Sequence, residues 1–167
     1  AQVIAAVKMG IPTLVLIRKP KDAVLSLLIR VPYISAEQAL RDYIRFYRSI
    51  LPYKDGYVVA RFDEVIQDFG KVIDKINAHF GTTFKRFEHT KENVERCFRI
   101  IEEMDKQDTG LSETQEHTVA RPSRERERMK KALEVRLKTP EVQWLLSKAE
   151  SVFTTFIQEL GTEQCEY

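Results

Sequence analysis

Pro12-Thr13-Leu14-Val15-Leu16-Ile17-Arg18-Lys19-Pro20-Lys21-Asp22-Ala23-Val24-Leu25-Ser26-Leu27-Leu28 is the stretch whose reading decides the fold. Thr13 to Ile17 is a short, nearly continuous apolar run, as in a strand buried on both faces of a parallel sheet. Arg18 ends it. Pro20 cannot continue a strand and suits the first turn of a helix. Asp22 falls in that first turn, where a negative charge is favoured. Ala23, Val24, Leu27 and Leu28 then form a helical apolar face. An arginine therefore stands at the carboxyl end of a buried strand, beside a helix N-terminus. Open α/β sheets bind ligands at that edge, and helix N-termini attract phosphate. Ser26 adds a hydroxyl further along the same helix.

Moving outward, the chain has 167 residues, the size of one domain, with 43% hydrophobic and 31% charged residues. That is the composition of an ordinary globular protein. A net charge of +2 does not demand nucleic acid or an anionic membrane as a partner. No apolar run is long enough to span a bilayer and no signal peptide opens the chain. Cys97 and Cys165 lie far apart and give neither a metal spacing nor a disulfide framework. A reducing cytoplasm is the simplest compartment. The three histidines, His79, His89 and His117, show no metal-ligand spacing and read as surface or capping residues.

Ala1 to Met9 reads as a helix with Gly10 as its C′ residue. Ser35 and Gln38 form a capping box for a helix running to about Leu51. Its face is Ala36, Leu40, Tyr43, Tyr47 and Ile50. The two tyrosines read as core aromatics, stacking on a nucleotide base being the other use of such rings. Tyr57 to Phe62 reads as a second buried strand. Asp63 is expected to cap the helix that follows, with Glu64 as a dipole partner and an apolar face of Val65, Ile66, Phe69, Val72, Ile73, Ile76 and Phe80. Thr90 caps a further helix whose stripe of Val94, Cys97, Phe98, Ile101 and Met104 is expected to be core.

The polar residues 105–121 are expected to be a mobile loop. Arg121-Pro122-Ser123 then opens a basic helix in which Glu and Arg alternate, as on a solvated face. Thr139-Pro140 begins the last helix, with Trp144, Leu145, Ala149, Val152, Phe153, Phe156 and Leu160 as its apolar stripe. Residues 161–167 are expected to be a flexible tail.

The segment Ile17-Arg18-Lys19-Pro20-Lys21-Asp22-Ala23-Val24-Leu25-Ser26 resembles the 3'-phosphate-binding segment of sulfotransferases. Those enzymes use 3'-phosphoadenosine-5'-phosphosulfate (PAPS). Their segment reads Arg-x-Pro-x-Asp, with a serine eight residues after the arginine, and Arg18 and Ser26 keep that spacing. The resemblance implies that Arg18 and Ser26 bind the 3'-phosphate of PAPS as sulfate donor, and that Arg121 adds charge from the basic C-terminal segment that sulfotransferases fold over the nucleotide. It implies an α/β fold: a partial P-loop-type parallel sheet of two strands in this chain, flanked by several helices and mostly helical.

It further implies transfer of a sulfuryl group to a hydroxyl or amine on a small-molecule or glycan acceptor. The family's glycine-rich phosphate loop and its basic-glycine signature are not found in this sequence. The chain, a single domain, is therefore expected to be the C-terminal portion of a longer protein. Two other readings stand beside this one. One is a non-catalytic interaction domain on the same scaffold. The other is a nucleotide kinase-like phosphotransferase, which also places arginines on phosphates but requires Mg²⁺.

Overall fold

The computed structural model describes residues 2–119 and 121–161. Among them the sheet has two parallel strands, β1 (Leu14–Ile17) and β2 (Val58–Arg61). Helices make up most of the rest: α1 (Gln2–Lys8), α2 (Pro20–Arg30), α3 (Ala36–Ile50), α4 (Phe62–Phe80), α5 (Lys91–Thr109), α6 (Arg124–Leu133) and α7 (Pro140–Gly161). This is the α/β, mostly helical fold that the sequence implies. The expected tail beyond Gly161 lies outside the described residues.

Parallel strands need a long crossover, and α2, α3 and a 3-10 turn at Leu51–Gly56 supply it. The register pairs Leu14 with Val58 and Ile17 with Arg61. Val15 and Ile17 are buried with Tyr47, Ile50, Tyr57, Val152 and Phe156 between the sheet and helices α3 and α7. A second core joins α2, α3 and α7 through Val24, Leu25, Leu28, Leu40, Val142, Leu145 and Ala149. Each buried Val, Leu, Ile or Phe among them contributes roughly 1.5–3 kcal/mol as an upper bound.

Local signals place several ends. Pro20 is at the first turn of α2. The Ser35 hydroxyl accepts from the Gln38 amide at 3.1 Å, and Thr90 does the same for Asn93 at 3.2 Å. Gly10 follows α1 in the left-handed region at φ +66°.

Several expectations are corrected. Phe62 is the first residue of α4 rather than the last of β2. Asp63 is therefore inside the first turn and not the cap. Arg61 stands at the cap, and its amide donates to the Glu64 carboxylate at 2.9 Å. α4 is also broken at Asp68 (φ −156°, ψ 88°). The kink frees the Phe69 amide, which donates to His89 Nδ1 at 3.2 Å, while Asp68 accepts from the Lys71 amide. His89 is thus a capping histidine.

The stripe on α5 is not core. Cys97 is exposed, Met104 is 55% exposed, and only Asp105 of this helix is buried. The helix continues to Thr109, so the first residues of the 105–121 segment are helical, and Gly110 ends it in the left-handed region. On α7, Trp144 is turned out, with the Lys148 ammonium over its ring at 5.0 Å.

Two phenols fix β1 to α3. The Tyr47 hydroxyl donates to the Leu16 carbonyl at 2.9 Å, and the Tyr43 hydroxyl donates to the Arg18 carbonyl at 2.8 Å. Burial pushes the Tyr47 phenol from 10.0 up to about 12. It pushes Tyr43 up as well, helped by Tyr47 and Glu150. The fold therefore favours the neutral phenols, and only the unfolded chain ionises near pH 10. Stability is expected to hold from neutral pH to about 10 and to fall between about 10 and 12. Urea denaturation stepped through that range checks this. A midpoint that stays constant up to pH 12 would contradict it.

Candidate functional site

Because β1 and β2 are parallel and in register, both chains leave the sheet at one edge. β1 runs out into Arg18 and α2, and β2 into Phe62 and α4. The guanidinium of Arg18 lies over the Phe62 ring, 4.2 Å from its centroid. This cation–π contact orients the fork without neutralising it. Arg18 is half-buried, and among the described residues no carboxylate forms an ion pair with it.

A cavity of about 340 Å³ opens beside this contact. Arg18, Ser26 and Arg121, the residues singled out by sequence, all line it. The structure thus brings together groups more than a hundred residues apart. It adds three cations that sequence reading did not single out: Arg30, Arg126 and Lys130. Glu127 is the one carboxylate among the lining residues. Arg124 is exposed, and Arg126 takes the inward position. A neighbouring cavity of about 320 Å³ shares Arg18, Phe62 and Ile66 with the first and reaches Lys19, Arg61 and Asp63. There Arg61 is paired with Asp63 at 2.8 Å.

The cations differ in how they are satisfied. Arg121 is held by two acids: its Nε lies against the Glu102 carboxylate without an aligned hydrogen bond, and its Nη2 is 3.2 Å from Glu116 Oε1. Lys130 pairs with Glu127 at 2.5 Å. That ammonium holds the Glu127 carboxyl below the usual range, and the charge of Arg18 acts the same way.

Arg126 is buried and donates to two main-chain carbonyls, those of Glu116 and, at 3.1 Å, Val119. Burial lowers its pKa, Glu116 works against that, and the charges of Arg30, Arg18 and Arg121 push further down. So three other guanidiniums stand within electrostatic reach of Arg126. Among the described residues the Ser26 hydroxyl has no protein hydrogen-bond partner.

Glu116 organises the rim. One carboxylate oxygen faces Arg121, the other accepts from the Ser123 hydroxyl at 2.5 Å, and its carbonyl accepts from Arg126. Ser123 in turn caps α6 through the Arg126 amide at 3.0 Å. Asp105 accepts from the Gln115 amide at 3.1 Å. Its carboxyl is held below the usual range first by the Thr118 hydroxyl, then by that amide, His117 and Arg30. The segment before Arg121 is thereby tied to α5 and α6.

Chemically, the cavity offers forked donors, a hydroxyl and an excess of positive charge, which is what a phosphate or sulfate ester needs. A metal has no such provision: among the described residues no group of three or more His, Cys, Asp or Glu could hold one. No helix among them is long and apolar enough to cross a membrane. No protein-family model, curated protein or solved structure matches the chain.

Arg126→Met keeps the volume of this side chain and removes its donors, leaving the Glu116 and Val119 carbonyls unpaired. The expected cost is about 1–3 kcal/mol in denaturant unfolding, with faster amide hydrogen exchange at residues 115–119. Unchanged exchange there would contradict the anchoring role.

Proposed function

We propose that this chain carries the 3'-phosphate-binding part of a PAPS-dependent sulfotransferase. The observation that supports this most is the convergence of Arg18, Ser26 and Arg121 on one cavity at the carboxyl edge of the parallel strands. Two of these residues stand at the spacing that resembles the sulfotransferase segment. The third comes from the basic C-terminal segment. An ordinary strand–helix junction with a solvated arginine has no need of that convergence.

The residues present fit a phosphate monoester. Arg18 can present a fork to two phosphate oxygens, and the Ser26 hydroxyl can donate to a third. Phe62 holds the Arg18 fork in place before the ligand arrives, which lowers the ordering cost of binding. When bound, PAPS supplies an activated sulfuryl group. The work of this chain is to bind and orient the nucleotide through its 3'-phosphate, so that the sulfuryl group meets the acceptor at a fixed place. Positive charge around the nucleotide also favours it as the leaving group. Arg18 and Ser26 act here on binding and positioning, not on making or breaking the bond.

The test is calorimetric titration with adenosine 3',5'-bisphosphate and with adenosine 5'-monophosphate, wild type against Arg18→Ala. A charge-assisted hydrogen bond contributes about 1.5–3 kcal/mol. The bisphosphate is therefore expected to bind roughly tenfold to a hundredfold more tightly than the monophosphate, and Arg18→Ala is expected to abolish the difference. Equal affinity of the wild type for the two nucleotides would remove this reading and favour a non-catalytic interaction domain.

A further inference from the structure

We infer that Arg30 is the second guanidinium on the phosphate held by Arg18 and Ser26, and that the site selects a doubly charged terminal phosphate over a singly charged ester. The inference rests on reading the cavity as a phosphate site and adds a residue that neither the motif nor the resemblance contains.

Five cations line the cavity. Arg121 is matched by Glu102 and Glu116, and Lys130 by Glu127. Arg126 spends donors on two main-chain carbonyls. Arg18 and Arg30 remain, and among the described residues neither has an ion pair or a side-chain hydrogen bond. Arg30 does act electrostatically on Asp105, but no ion pair joins them, and that carboxylate accepts from the Gln115 amide at 3.1 Å.

Position agrees with charge. Arg30 follows Ser26 by four residues on α2, so the two side chains lie one above the other on the same helix face. Both line the cavity, and Arg18 lines it from the strand end that precedes the helix. The hydroxyl therefore shares the cavity with two unpaired guanidiniums, one a turn further along its own helix and one at the strand end before it. Two such forks match the two charges and the three terminal oxygens of a phosphate monoester. A diester or a cyclic phosphate carries one charge and two free oxygens, and leaves one fork unused. Arg121 is already neutralised by two carboxylates where it stands, so it contributes less to the anion than Arg30 does.

The experiment titrates adenosine 3',5'-bisphosphate, adenosine 2',3'-cyclic monophosphate and inorganic pyrophosphate into wild type, Arg30→Ala, Arg30→Lys and Arg121→Gln. Arg30 is exposed at the end of its helix, and unchanged thermal midpoints without ligand confirm intact variants. Arg30→Ala is expected to weaken the bisphosphate about tenfold or more and to leave the cyclic nucleotide nearly unchanged. Arg30→Lys keeps charge without the fork and is expected to fall between. Arg121→Gln is expected to cost less than Arg30→Ala.

If Arg18→Ala weakens the bisphosphate and Arg30→Ala does not, the role of Arg30 is overturned while the proposed function stands. If the wild type binds no bisphosphate, the proposed function falls, and pyrophosphate then decides Arg30. A fivefold or greater loss of pyrophosphate affinity in Arg30→Ala supports an anion site. Equal affinity, or no binding by the wild type, overturns it.

Discussion

Two parallel strands must leave their sheet at the same edge, and the rest of the molecule follows from that constraint. The pairing of Ile17 with Arg61 sends Arg18 and Phe62 out side by side, close enough for the guanidinium to lie on the ring. The tyrosines of α3 hold the β1 end from behind through the carbonyls of Leu16 and Arg18. The backbone at Arg18 is thus fixed on one side and its side chain on the other. A lysine at this position would lose the planar contact and the fork together.

The C-terminal half completes the wall. α6 and the segment before it approach α2 from outside the sheet, and their arginines would repel those already there. Carboxylates from α5 and from the approaching segment, together with main-chain carbonyls, relieve part of that repulsion. Glu102 and Glu116 take Arg121, and two carbonyls take Arg126. The residue of uncompensated charge gathers around Ser26. A concentration of like charge in a half-enclosed place lowers stability unless an anion enters.

Much of the frame was legible in local chemistry. Two short apolar runs marked the strands, Pro20 marked the start of α2, and Ser35 and Thr90 marked the caps of α3 and α5. The errors came where tertiary context overrode local pattern. The apolar period of α4 runs unbroken through Asp68, so nothing local announced the kink that His89 caps. An arginine at the cap of α4 hid its true start, since the cap bond comes from the Glu64 carboxylate reaching back.

The stripe on α5 has helical spacing but faces partly outward, and spacing alone does not say what lies opposite. Within the site, Arg18 and Ser26 were legible because they are close in sequence and sit on adjoining elements. Arg126 looked like one more charge on a solvated helix. Arg30 has no motif at all, and only the cavity that joins it to residues 118–130 reveals it.

The central claim is that the two chain segments around Arg18 and Arg121 enclose one anion beside Ser26. Crystals of the chain soaked in tungstate, with the metal located by anomalous scattering, test it most directly. The account predicts a leading peak in this cavity, with oxygens in hydrogen-bond reach of the Arg18 guanidinium and the Ser26 hydroxyl. Peaks elsewhere on the surface, with none between those two groups, would contradict it.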